Sequence, residues 1–208
     1  MIGIIDYGMG NLYSVRNALD YLLIDCEITD RKDRIDQYDG LILPGVGAFP
    51  DAMRVLRKTG LGDAVVRAAK SGIPLLGICL GMQLLFEDSV EFEKTEGLSL
   101  IPGHVIPIEA PGLKIPHMGW NDLTFHMPDD PISKGLSDGA YVYFVHSFRA
   151  DTEPSCLVAD TTYGIKIPAL VRSPVLPVYG AQFHPEKSHD TGMRILSNFN
   201  EICKGNHV

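Results

Sequence analysis

Cys79 sits between two glycines in Gly77-Ile78-Cys79-Leu80-Gly81, and the stretches on either side differ in kind. Before it, Ile73-Pro74-Leu75-Leu76 is short and apolar, as a buried strand requires; after it, Met82-Gln83 and Leu84-Leu85-Phe86-Glu87 read as a helix. The spacing predicts a G-x-S-x-G elbow with sulfur in place of oxygen. Glycines permit the tight strand-to-helix turn that lifts a nucleophile from the sheet edge, and the helix N-terminus favours a thiolate. Taken singly, Cys79 also fits a small buried apolar residue, with the glycines serving close helix–strand packing.

A cysteine nucleophile needs a base, and the base needs an orienting partner. His184-Pro185-Glu186 offers both. In extended backbone, residues i and i+2 point to the same side, so the imidazole and carboxylate are expected to project together; Pro185 cannot donate a ladder hydrogen bond, which places the triplet at a strand end. Pro44-Gly45-Val46-Gly47 follows the apolar run Leu41-Ile42-Leu43. Glycines there would let backbone N–H groups approach a developing oxyanion. Alone, His184 fits a surface histidine, Glu186 with Lys187 a solvated pair, and Pro44–Gly47 a plain turn. Together they are far less expected by chance.

The elements that must position these residues are α/β. Ile2–Asp6, Cys26–Thr29, Tyr38–Leu43 and Ile73–Leu76 read as strands; residues 12–23, 51–61 and 63–70 read as helices. This alternation predicts a three-layer, mostly parallel central sheet with helices on both faces. Gly8-x-Gly10 invites a dinucleotide-binding reading, but Tyr13 takes the place of the third glycine, which disfavours it. Asn11 is expected to cap the first helix. From Leu98 to Leu123 prolines and glycines recur, so Val105-Ile106 and Leu113–Ile115 can form only short or edge strands, and Trp120 reads as an aromatic packed under a loop. Tyr141–Phe148 reads as one strand, with Cys156–Ala159 and Ala169–Val171 as an added short antiparallel region, and Met193–Cys203 as a closing amphipathic helix.

Bulk properties narrow the classes. The 208 residues, 45% hydrophobic, suit a single domain over 1–208. With 18 Lys+Arg against 26 Asp+Glu, a net charge of -8 disfavours nucleic acid as a partner. The four cysteines are widely spaced with no C-x-x-C pair, so a zinc knuckle or redox pair is not expected and a reduced, cytoplasmic setting is. His117 and His126 lack metal-ligand spacing, so no metal is assigned. No signal peptide or membrane span is expected: Met1–Ile5 meets Asp6 without a basic segment, and the run Ile73–Phe86 is too short.

Pro44-Gly45-Val46-Gly47, Gly77–Gln83 and His184-Pro185-Glu186, in that order, resemble the three main motifs of the class I (triad) glutamine amidotransferases. Ile5–Leu12, Pro44–Phe49, Pro116–Asn121, Tyr143–Ser147 and His184–Ser188 are similar to the branch that serves a (β/α)8-barrel cyclase in histidine biosynthesis. The resemblance implies that Cys79 attacks the side-chain amide of glutamine to give a thioester, with His184 as base and acid and Glu186 holding its tautomer. It implies an oxyanion site at the N–H groups of Leu80 and of Val46 and Gly47, and glutamine contacts at Gly47, Gln83, His146 and Ser147. No cofactor is implied. Ammonia would pass to the cyclase, the pair yielding imidazole glycerol phosphate and aminoimidazole carboxamide ribonucleotide, and Asn11, Met118, Trp120, Tyr143 and Lys187 would form the heterodimer interface. The same triad also fits a subunit serving anthranilate or pyridoxal phosphate formation, and the same fold a catalytically silent binding subunit.

Overall fold

The computed structural model describes residues 1–205. Its first part runs β1 (Ile2–Ile5), α1 (Leu12–Tyr21), β2 (Cys26–Thr29), β3 (Gly40–Gly45), α2 (Phe49–Thr59), α3 (Leu61–Lys70) and β4 (Leu75–Cys79). The strands lie parallel, with β1 between β2 and β3, and β3 beside β4. Strands β1, β3 and β4 are buried throughout, which is why they read as unbroken apolar runs. Alternate residues still face opposite ways. Ile5, Leu41, Leu43 and Leu75 pack with α2 and α3, while Ile4, Ile42, Leu76 and Ile78 pack with α1 and the C-terminal helix.

Beyond Cys79 come α4 (Leu80–Gln83), β5 (Asp88–Ser89), β6 (Thr95–Glu96), β7 (His104–Pro107), β8 (His117–Asp122) and β9 (Thr124–Phe125). Then follow β10 (Tyr141–His146), β11 (Phe148–Asp151), β12 (Leu157–Tyr163), β13 (Ile165–Arg172), β14 (Val178–Ala181) and α5 (His189–Gly205). Strand β14 returns parallel to β4, giving the sheet order β2-β1-β3-β4-β14-β13-β12-β9. Strands β13, β12 and β9 are antiparallel. At 7 and 8 residues, β12 and β13 outrun every parallel strand, so the sheet is mixed and its antiparallel part larger than the short region expected. Strand β8 pairs with β10, and β11, β7, β5 and β6 form a third sheet.

Several local expectations are corrected. The helix after Cys79 stops at Gln83: the carbonyls of Leu84, Leu85, Phe86 and Glu87 accept from N–H groups of residues 97–101, so tertiary pairing replaces helix continuation. Asn11 starts α1 without a side-chain cap; the preceding turn is held instead by Asp6, whose Oδ1 accepts from the Gly8 N–H at 2.9 Å. Leu113–Ile115 forms no strand. Trp120 lies on β8, 45% exposed, rather than under a loop. The run Tyr141–Phe148 breaks at Ser147, so that β10 joins β8 and β11 joins β7.

Candidate active site

At the carboxyl ends of β3 and β4, the sequence folds into the expected elbow, but the division of labour differs. Cys79 itself takes the strained conformation, φ 55° and ψ -112°, and neither Gly77 nor Gly81 has a positive φ. The glycines serve close approach. A Cβ at Gly81 would lie 1.8 Å from the Leu43 carbonyl oxygen, and one at Gly77 would lie 2.6 Å from that of Gly81. Helix α4 is a single turn and Cys79 makes no side-chain cap to it, so the sulfur gains little from the dipole that a long helix would supply.

A pocket of about 410 Å³ opens over Cys79. Its walls are Val46 and Gly47 after β3, Leu80 and Gln83 of α4, Val145 to Phe148 at the β10–β11 break, and Glu91, Pro116 and His184. The break at Ser147 thus turns a strand crossing into a pocket wall. Of the expected oxyanion donors, Leu80 opens α4 and has no helical partner for its N–H. The Val46 N–H instead donates to the Met9 carbonyl at 3.4 Å, away from such a role in this conformation. Gly47, with φ 101°, leaves the loop free to change course.

His184 is 3% exposed. The expected extended i, i+2 arrangement gives way to a 3₁₀ turn, Pro185–Lys187, which brings Oε1 of Glu186 to 2.8 Å from Nδ1 of His184. Nδ1 must donate to the carboxylate, leaving Nε2 for the sulfur. Burial pulls the His184 pKa down, but hydrogen bonds with Cys79 and Glu186, and their charges, outweigh it and raise it to about 9. His184 therefore holds its proton at neutral pH.

His146 has both ring nitrogens engaged within the protein: Nε2 with Nδ1 of His117 at 2.9 Å and Nδ1 with the Phe148 carbonyl at 2.7 Å. It can shape the pocket wall but has no free nitrogen for a ligand. Burial pushes both His117 and His146 down to about 4, so both are neutral. Gln83 and Ser147 line the pocket. Sequence reasoning missed Glu91, whose Oε2 accepts from the Phe49 N–H at 2.8 Å at the pocket edge. In the acidic run Glu87–Glu93 nothing marked it out.

The five expected interface residues do not line this pocket. Met118 and Trp120, 61% and 45% exposed, share the outward face of β8, and Tyr143 of β10 sits in register with Trp120. Trp120 stacks on His189 with centroids 5.0 Å apart. Lys187 is exposed beside His189, both lining a groove that Ser14 and Asn17 of α1 close, one turn from the half-buried Asn11. Among the described residues no cluster of metal-ligating side chains occurs, and no helix is long and apolar enough to cross a membrane.

A cysteine on a strained elbow, a buried histidine–glutamate pair beside it and a pocket at the carboxyl edge of the sheet define the class of triad acyl-transfer enzymes. The family model for "Glutamine amidotransferase class-I" matches residues 3–202. An "Imidazole glycerol phosphate synthase subunit HisH" from Caldanaerobacter subterraneus subsp. tengcongensis is 53% identical over 205 residues, covering 98% of this chain and 99% of the relative. The protein of that name from Geobacillus sp. is 50% identical, covering 99% and 98%. Two solved structures share the fold: a "glutamine amidotransferase" (TM-score 0.76, 22% identity, 98% of each chain) and "PurLQS from Thermotoga maritima" (TM-score 0.76, 19% identity, 95% of this chain and 96% of that one). The chain belongs to the class I glutamine amidotransferases, and within them to the HisH subunits of imidazole glycerol phosphate synthase.

Proposed function

We propose that this chain, acting as a single domain, is a glutaminase that supplies ammonia to a (β/α)8-barrel cyclase in histidine biosynthesis. One observation carries the reading: Cys79 opens into the pocket with the His184–Glu186 pair beside it, in a chain that aligns end to end with HisH subunits. The Cys79 sulfur attacks the side-chain amide carbon of glutamine, forming a C–S bond while charge gathers on the oxygen. The Leu80 N–H stabilises that charge, joined by the Val46–Gly47 strip once it turns from Met9. His184 passes its proton to the amide nitrogen, the C–N bond breaks and ammonia leaves. Water, losing a proton to His184, then cleaves the thioester to glutamate and restores the thiol. Glu186 keeps Nε2 of His184 aimed at these atoms.

Gly47, Gln83 and Ser147 contact the glutamine while His146 shapes the wall against which it lies, and Asn11, Met118, Trp120, Tyr143 and Lys187 face the cyclase. The steps use the chain's own side chains and backbone N–H groups together with water, and free thiols at all four cysteines suit the cytoplasm. The test is Cys79→Ala in the complex. Glutamine-dependent synthesis should vanish, while cyclase binding and synthesis from added ammonia persist; loss of ammonia-dependent synthesis as well would refute the division of labour.

A further inference from the structure

Gln182 is fully buried just beyond β14, and no step above uses it. Its Oε1 accepts from Nε2 of Gln83 at 3.0 Å, and its Nε2 donates to the Cys79 sulfur at 4.0 Å. The same Gln83 nitrogen donates to the Phe148 carbonyl at 3.2 Å. That carbonyl also receives Nδ1 of His146, whose Nε2 meets Nδ1 of His117. A single unbroken chain of hydrogen bonds therefore runs from β8 to the nucleophile.

One group sets the direction of the whole chain. The Phe148 carbonyl can only accept, so Gln83 must turn its amide nitrogen inward and His146 must carry its proton on Nδ1. Neutral His146 then accepts at Nε2, which makes Nδ1 of His117 the donor. Both hydrogens of the Gln83 amide are engaged, so Oε1 is what Gln83 can offer the pocket. Gln182 must present its oxygen to Gln83 and its N–H to the sulfur. No side chain in the chain can flip without stranding a buried polar group.

We propose that Gln182 and His117 are positioning residues for the reaction at Cys79, fixing through this buried chain a donor at the sulfur and the Gln83 carbonyl at the pocket. An N–H aimed at sulfur favours the thiolate, so Gln182 acts on the nucleophile. His117 acts on the substrate wall through His146 and Phe148. Its ring is also stacked between Phe144 and Tyr163, with centroids 4.7 and 4.2 Å away.

The proposal rests on the glutaminase reading for its kinetic part alone. In the full chain, iodoacetamide alkylation of Cys79 is followed across neutral and alkaline pH. Gln182→Met keeps the volume but has no N–H, and its alkylation midpoint should move up by about one pH unit, with a roughly tenfold slower rate at neutral pH. An unchanged midpoint overturns the role of Gln182. In complex with the cyclase, His117→Phe keeps the stacking without the donor, and His117→Asn keeps a donor near Nδ1. The first should raise the glutamine KM about tenfold with a much smaller change in kcat, and the second should restore most of it. If Phe and Asn behave alike, stacking is all His117 supplies and the chain carries nothing. Should Gln182→Met fail to fold, the His117 pair still decides. Alkylation needs no glutamine, so a wild-type chain lacking glutaminase activity would sink the proposed function and leave the alkylation result standing.

Discussion

Nδ1 of His184 and Oε1 of Glu186 lie 2.8 Å apart, with both side chains almost wholly buried. The other Glu186 oxygen is buried without a partner, so the carboxylate is committed to the histidine. Glu186→Gln keeps the shape but removes the charge. Without it His184 loses one of the two partners that hold its pKa up at about 9, so the pKa falls. The expected result is a loss in kcat of about a hundredfold or more, with the alkaline limb of the kcat/KM profile moved to lower pH. Steady-state glutaminase assays across pH in the cyclase complex check this. An alkaline limb that stays put would show that His184 does not set it.

How far the sequence carried depended on whether the deciding contacts were local. The apolar runs Ile2–Ile5, Leu41–Leu43 and Leu75–Leu76 are buried on both faces, so composition alone marks them as inner strands of a parallel sheet. The elbow was legible for the same reason. Leu84–Glu87 was not: its helical pattern is overridden by pairing with residues 97–101, a partner no window around Cys79 contains. Trp120 was misplaced because β8 exists only through its register with β10, some twenty residues on. Gln182 lies outside every motif and His117 only inside the stretch Pro116–Asn121, with no role read for either, since their chemistry comes from meeting His146, Gln83 and Cys79 in space.

Stability should depend on pH with opposite signs on either side of neutrality. His184 binds its proton more tightly folded than unfolded, being raised from 6.5 to about 9. Its contribution is complete below about 6.5 and is lost as pH climbs through 9. His117 and His146, lowered from 6.5 to about 4, do the reverse: their contribution is complete above about 6.5 and is lost as pH falls toward 4. Thermal unfolding across pH should show His184→Ala with a flatter alkaline flank than wild type, and His117→Phe with a flatter acidic flank. Parallel curves for wild type and variants would contradict the assignment.

Gly81→Ala tests what the elbow glycines are for. The added methyl would sit 1.8 Å from the Leu43 carbonyl oxygen, a backbone atom of a central strand that cannot step aside. A destabilisation of about 3 kcal/mol is expected in urea unfolding, from overpacking and strand displacement. Gly205→Ala, where a Cβ meets nothing within 4 Å, is the control and should stay within about 0.5 kcal/mol. Equal behaviour of the two variants would mean the elbow yields more easily than its contacts imply.

Trp120 is the side chain on which partner binding should turn. It is 45% exposed yet held on two sides, stacked on His189 at 5.0 Å and edge-on to Tyr143 at 5.9 Å, with Met118 two residues along the same face of β8. A large aromatic already fixed in place loses little entropy on docking, the property of a hot spot. Trp120→Ala should weaken cyclase binding by about 2 kcal/mol, roughly thirtyfold in Kd, while leaving the unfolding midpoint of the isolated chain nearly unchanged. Val175→Ala serves as control: Val175 is 84% exposed but precedes β14, at the amino end of the parallel strands, whereas Cys79 ends β4 at their carboxyl end. Titration calorimetry with purified cyclase separates the two. Equal affinities for both variants would remove Trp120 from the interface, and with it the reason for placing the partner against β8.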